Sequence, residues 1–139
     1  MGFAISYVST ICTSILDEEI YQLFEFVKSN NDKNHISGML MYSDGNFFQV
    51  LEGKKEAVKA LFEKIKKDHR HYDIIPIIQH PIELISFSEY QTSFTTIKNR
   101  SELQELYTFL EHQKILYPEL YHSISAVASK FILLPEQLS

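Results

Sequence analysis

A glutamine sits in the middle of an apolar stretch, Asn46-Phe47-Phe48-Gln49-Val50-Leu51-Glu52-Gly53. A strand of this composition lies against a core on at least one face, so the Gln49 amide is expected to be buried. Its donors and acceptor must then find partners inside the protein, because leaving such groups unpaired costs about 1–3 kcal/mol each. Tyr7, in the middle of another apolar segment, can meet it. Asn30-Asn31 ends one amphipathic segment and Arg70-His71 follows a second. All four points can converge on a slot between those two segments, walled by Leu23, Val27, Phe47 and Ile65. An apolar slot with a few convergent hydrogen-bonding groups is suited to a small molecule or cofactor.

The elements that must position these residues follow from periodicity and turn chemistry. Residues 3–9 read as a strand. Asp17 is expected to cap a helix that carries Glu18 and Glu19 in its first turn, where the helix dipole favours acids. Ile20, Leu23, Phe24 and Val27 make its buried stripe, and Ser29-Asn30-Asn31 is expected to end it. Residues 36–43 and 46–52 are strands separated by Asp44-Gly45, a strong hairpin signal. Ala57, Val58, Leu61, Phe62 and Ile65 form the stripe of a second helix over 54–67. Residues 73–80 read as a fourth strand, in which Pro76 indicates an edge position or a bulge, and 87–95 as a fifth.

The order β-α-β-β-α-β is the ferredoxin-like, α+β arrangement, here with one extra strand. Both crossover helices then lie on one sheet face and leave the other bare. Helices over 101–113 and 118–129 are expected to cover that second face, or to dimerise across it. The reading is one compact unit, with residues 1–97 forming the ligand-binding part and 98–139 a C-terminal helical cap.

Composition narrows the function classes. A net charge of −5 argues against nucleic acid as the main partner, and the lysines of helix 54–67 read as a solvated face. Cys12 stands alone, so neither a disulfide framework nor a thiolate metal cluster is expected. His35, His80, His112 and His122 have no metal-ligand spacing, and no metal is expected. No apolar run approaches the ~20 residues of a membrane span, and the N-terminus lacks signal-peptide features; a cytoplasmic protein is expected.

Tyr7-Val8-Ser9, Asn31 ahead of Ile36-Ser37-Gly38, Phe47-Phe48-Gln49-Val50-Leu51-Glu52-Gly53 and Asp68-His69-Arg70-His71 together resemble the BLUF family of blue-light sensors that use FAD. The resemblance covers roughly residues 3–95 in the right order and spacing. It implies that the isoalloxazine ring inserts between the two crossover helices, with Leu23, Val27, Phe47 and Ile65 as an apolar sandwich. Asn31 would present its amide to the C4 carbonyl and N3 edge, with Asn30 nearby on the same turn. Arg70 and His71 would contact the pyrimidine side or the ribityl-phosphate region, and Asp68 would position that turn. Tyr7 and Gln49 would carry the photochemistry: an electron leaves Tyr7, a proton follows through Gln49, and the hydrogen bonds of the amide end rearranged. FMN or riboflavin, which carry the same ring, could replace FAD in this reading. The family's short members often assemble as dimers or rings, so a homo-oligomer and an unidentified downstream protein are the implied partners, and no catalytic output is implied.

The chain departs from the family in its last strand. Tyr90 stands where the pattern has Trp and Thr92 where it has Met, the pair associated with carrying the signal outward. The core photocycle is expected to survive with altered recovery and signal transfer. Two other readings stay open: a small flavin-dependent oxidoreductase or a hydrolase on the same scaffold, and a flavin-free interaction module. Against the first stand the missing G-x-G-x-x-G fingerprint and the absence of Arg from residues 9–15.

Overall fold

Strand β1 (Gly2–Ile11) is followed by helix α1 (Asp17–Lys33), the hairpin β2 (Ser37–Ser43) and β3 (Asn46–Gly53), helix α2 (Lys55–Lys66), β4 (His71–Ile82) and β5 (Phe94–Ile97). This computed structural model describes residues 2–12, 14–43, 45–82 and 94–97, with 101, 104, 122 and 126. The sheet order is β4-β1-β3-β2-β5, antiparallel over its first four strands, with β5 parallel to β2. A four-stranded antiparallel sheet with two crossover helices is the α+β arrangement expected. The C-terminal helices expected at 101–113 and 118–129 lie outside the described residues but for single positions.

Both helices pack on one sheet face. Ile20 and Phe24 of α1 and Val58 and Phe62 of α2 join Ile5, Tyr7, Leu40, Phe47 and Leu51 in one buried cluster. On the opposite face Ala4, Met39, Met41, Phe48 and Val50 are also buried.

Several element boundaries differ from the sequence expectation. Asp17 is the first helical residue and Leu16 is the N-cap. The capping comes from Glu19 at the third helical position, whose carboxylate accepts from the Leu16 N–H at 3.0 Å. At its other end α1 runs past Asn30-Asn31 to Lys33, because the carbonyls of Asn30 and Asn31 still accept from the Asn34 N–H. The left-handed residue that ends the turn is His35, at φ 56, rather than an asparagine. Strand β4 starts at His71 and ends at Ile82, longer than the expected 73–80 at both ends. The fifth strand is described at Phe94–Ile97; of the expected 87–95, residues 94 and 95 lie in it and 87–93 lie outside the described residues.

Pro76 meets both of its expectations. It lies on the edge strand β4 opposite Tyr7, where the ladder shifts register between Ser6 and Tyr7. A second shift, between Val8 and Thr10, coincides with Asp73 at φ 51, a left-handed position that Asp tolerates. Gly45, at φ +80, forms the tight turn of the β2–β3 hairpin.

Candidate functional site

Ladder register builds the floor of the site. Tyr7 on β1 pairs with Gln49 on β3, which pairs on its other side with Leu40 on β2. The three side chains therefore form one row across the sheet, on the face covered by the helices. Tyr7 is 3% exposed and Gln49 2%, so the expected burial of the amide holds. The Tyr7 hydroxyl donates a hydrogen bond to Gln49 Oε1. Burial pushes the Tyr7 hydroxyl far above its ordinary pKa, and the negative charge of Asp68 adds to the shift. Tyr7 is therefore a neutral donor at any physiological pH. With Oε1 occupied, the Nε2 end of Gln49 still carries two donors.

A cavity of about 260 Å³ opens above this row between α1 and α2. Leu23, Val27, Phe47, Leu61 and Ile65 provide apolar lining, and Asn30 and Asn31 enter from the last turns of α1. Asn31 is 2% exposed, and its Nδ2 has no hydrogen-bond partner among the described residues. A buried donor left in this state costs about 1–3 kcal/mol, which a ligand acceptor in the cavity would recover. A planar heteroaromatic ring with donor and acceptor edges fits such a chamber: apolar walls for its faces, amides for its edge.

The turn after α2 closes one end. Asp68 accepts from the Arg70 backbone N–H at 2.9 Å and clamps its guanidinium, from Nε to Oδ1 at 3.0 Å and from Nη2 to Oδ2 at 2.5 Å. That hydrogen bonding holds the Asp68 carboxyl below its usual range and raises Arg70. The turn is docked onto the end of β1, where the Cys12 N–H donates to the Arg70 carbonyl at 2.9 Å. His71 lies with Nε2 2.7 Å from the Ile65 carbonyl, so that nitrogen carries the proton in the neutral ring. Its Nδ1 then accepts from the Ser9 hydroxyl at 2.8 Å.

All eleven residues singled out for the slot, Tyr7, Leu23, Val27, Asn30, Asn31, Phe47, Gln49, Ile65, Asp68, Arg70 and His71, line this one cavity. Phe26, Leu40, Leu61 and Lys64 line it as well and were not assigned to it from the sequence. Leu40 could have been found, since the Asp44-Gly45 turn sets the register that places it opposite Gln49. Phe26 lies off the apolar stripe of α1, and Lys64 reads as one more solvated lysine; neither carries a sequence signal. Tyr90 and Thr92, expected to transfer the signal, lie outside the described residues.

Comparison with known proteins identifies the family. Residues 3–93 match the BLUF family, described as sensors of blue-light using FAD, and the chain belongs to that family. Flavin is therefore its cofactor class, and the buried amides and apolar walls fit an isoalloxazine ring. The photoactivated adenylate cyclase subunit alpha of Euglena gracilis is 32% identical over 79 residues, 57% of this chain and 8% of that protein. The blue light- and temperature-regulated antirepressor BluF of Escherichia coli strain K12 is 35% identical over 65 residues, 45% of this chain and 16% of that protein. The chain thus spans only a small part of the length of these curated relatives. A solved structure, the photo-activated state of BlsA, superposes with a TM-score of 0.68 at 26% identity, covering 100% of this chain and 99% of that one. Among the described residues no helix is long and apolar enough to cross a membrane.

Proposed function

We propose that this chain senses blue light through FAD held between α1 and α2, with Tyr7 and Gln49 as the photochemical pair and no catalytic activity of its own. The observation that carries the reading is the buried Tyr7–Gln49 hydrogen bond at the cavity floor, beside the unpaired Nδ2 of Asn31. When excited, the bound ring supplies a strong electron acceptor. Tyr7 yields an electron toward the cavity, and its hydroxyl proton crosses to Gln49 along the existing hydrogen bond. Their return leaves the Gln49 amide rotated or tautomerised. An amide suits this role because it exchanges donor and acceptor ends without gaining net charge. Both arrangements keep its groups paired, so two states of similar energy can exist in one packed core.

In the remaining roles, Asn31 meets the polar edge of the ring, Leu23, Val27, Phe47 and Ile65 enclose its faces, and Asp68, Arg70 and His71 hold its outer end. The signal leaves through β2 and its neighbours: Leu40 stands opposite Gln49 on one side and opposite Thr96 of β5 on the other. Tyr90 and Thr92 act beyond that point, and the output is binding to another protein or a change in self-assembly.

The test is the visible spectrum of the purified, FAD-loaded chain before and after blue light. A red shift that reverses in the dark is expected, and Tyr7→Phe should lose it. Failure to bind FAD, or a full shift in Tyr7→Phe, would overturn the reading. Bleaching by NADPH in the dark would favour a reductase instead.

A further inference from the structure

The flanks of the two crossover helices that face away from the cavity carry opposite charge. On α1, Leu23, Phe26 and Asn30 turn toward the cavity, whereas Glu18, Tyr21 and Glu25 recur at helical spacing on the other side and are exposed. On α2, Leu61, Lys64 and Ile65 turn toward the cavity, and the exposed Lys55, Lys59 and Lys66 occupy the other flank. Helix α1 packs against β2 and β5, and α2 against β1, β3 and β4, so the two flanks point to opposite ends of the sheet. Glu18, Glu25, Lys55 and Lys59 form no ion pair among the described residues. Glu56 and Glu63 stand further round α2 toward solvent, and Glu63 holds Lys66 at 2.7 Å.

Two details set these flanks apart from an ordinary solvated surface. Lys55 and Lys59 both lie over the Phe3 ring, 5.7 Å and 5.1 Å from its centroid, which gathers two like charges around one apolar patch. A carboxylate placed between them relieves their repulsion. Between the two glutamates of α1, Tyr21 is 63% exposed, an amphipathic ring suited to packing on lysine stems and ammonium groups. We propose that the α1 flank carrying Glu18, Tyr21 and Glu25 docks on the α2 flank carrying Lys55 and Lys59 of a second copy of this chain, giving head-to-tail self-assembly. The two surfaces differ and point in opposite directions, so the contact is heterologous, and the series closes into a ring or grows as an open chain. A twofold dimer through either flank would set like charges face to face. Neither light nor flavin enters this contact.

Sedimentation velocity of the full-length chain in the dark, over a concentration series, tests it. At low salt the mean mass should rise with concentration, and high salt should return it toward the monomer. Lys55→Glu with Lys59→Glu makes both flanks acidic, and Glu18→Lys with Glu25→Lys makes both basic. Each double variant alone should associate about tenfold more weakly. An equimolar mixture of the two should recover the association, and so should the quadruple variant, in which the charges are exchanged; recovery excludes misfolding as the cause of the loss. A wild type that stays monomeric at low salt would overturn the proposal. So would double variants that assemble as wild type does, which puts the contact on another surface. A mixture as weak as its components would overturn it too, as a general charge effect. All three results leave the sensor reading standing, because the flavin spectrum is measured separately.

Discussion

At the scale of single residues, the site is held together by groups that a folding optimum would not choose. Asn31 places an amide in a buried position and leaves its Nδ2 unpaired among the described residues. Replacement by leucine, close in shape and without polar atoms, removes that penalty. The Asn31→Leu apoprotein is therefore expected to be more stable by about 1 kcal/mol in denaturant unfolding. The same variant loses the hydrogen bonds to the ring edge, and its FAD affinity should fall about tenfold. A loss of both stability and affinity would show that Asn31 serves the apoprotein fold rather than a ligand. Much of this was legible in the sequence, because a buried Gln49 needs a partner and only a few polar residues stand where strands could bring one. What stayed hidden at this scale was part of the cavity lining: an aromatic off the helical stripe and a lysine among lysines look like ordinary surface until the opposite wall is in place.

At the scale of elements, β2 depends on a backbone that only glycine accepts. Gly38 has φ +136, and a methyl group added there would overlap the Val50 carbonyl oxygen of the neighbouring strand. Gly38→Ala should cost on the order of 3 kcal/mol, from backbone strain and overpacking together, and thermal unfolding reads it directly. Because Leu40 lies two residues further along β2 and lines the cavity, flavin affinity should fall with it. The turn after α2 makes a second element-scale claim. Arg70 lowers the Asp68 carboxyl, so the clamp stabilises the folded state above the ordinary carboxylate pKa of about 3.9 and loses that effect as pH falls through the lower folded value. Wild type should therefore exceed Asp68→Asn in stability at neutral pH, and the gap should close in acid. A gap independent of pH would mean that the carboxylate charge does not hold Arg70. Element order and hairpin register were readable because period, turn residues and length all agree. Helix ends were not: the extra turn of α1 rests on hydrogen bonds among Asn30, Asn31, Asn34 and Ile36 that residue preferences do not encode.

At the scale of the whole molecule, one sheet face carries both crossover helices, and the cavity sits where α1 and α2 part. Its lining comes from β1, β2, β3, both helices and the turn that starts β4, so a ring bound there ties together most of the described elements. A ligand that binds only the folded state stabilises it by RT ln(1 + [L]/Kd), about 2.7 kcal/mol at a hundredfold excess over Kd. For a chain of 139 residues each kcal/mol moves Tm by roughly 4 °C, so saturating FAD should raise Tm by about 10 °C. The increment should be cooperative, one transition moving as a unit, because the ligand contacts no separable part of the described fold. A two-step melt in which only the later step responds to FAD would mean that part of the sheet folds without the slot. Blue light applied during the melt should shift Tm far less than FAD does, since the proposed switch exchanges hydrogen bonds at Gln49 and leaves the apolar walls around the ring in place.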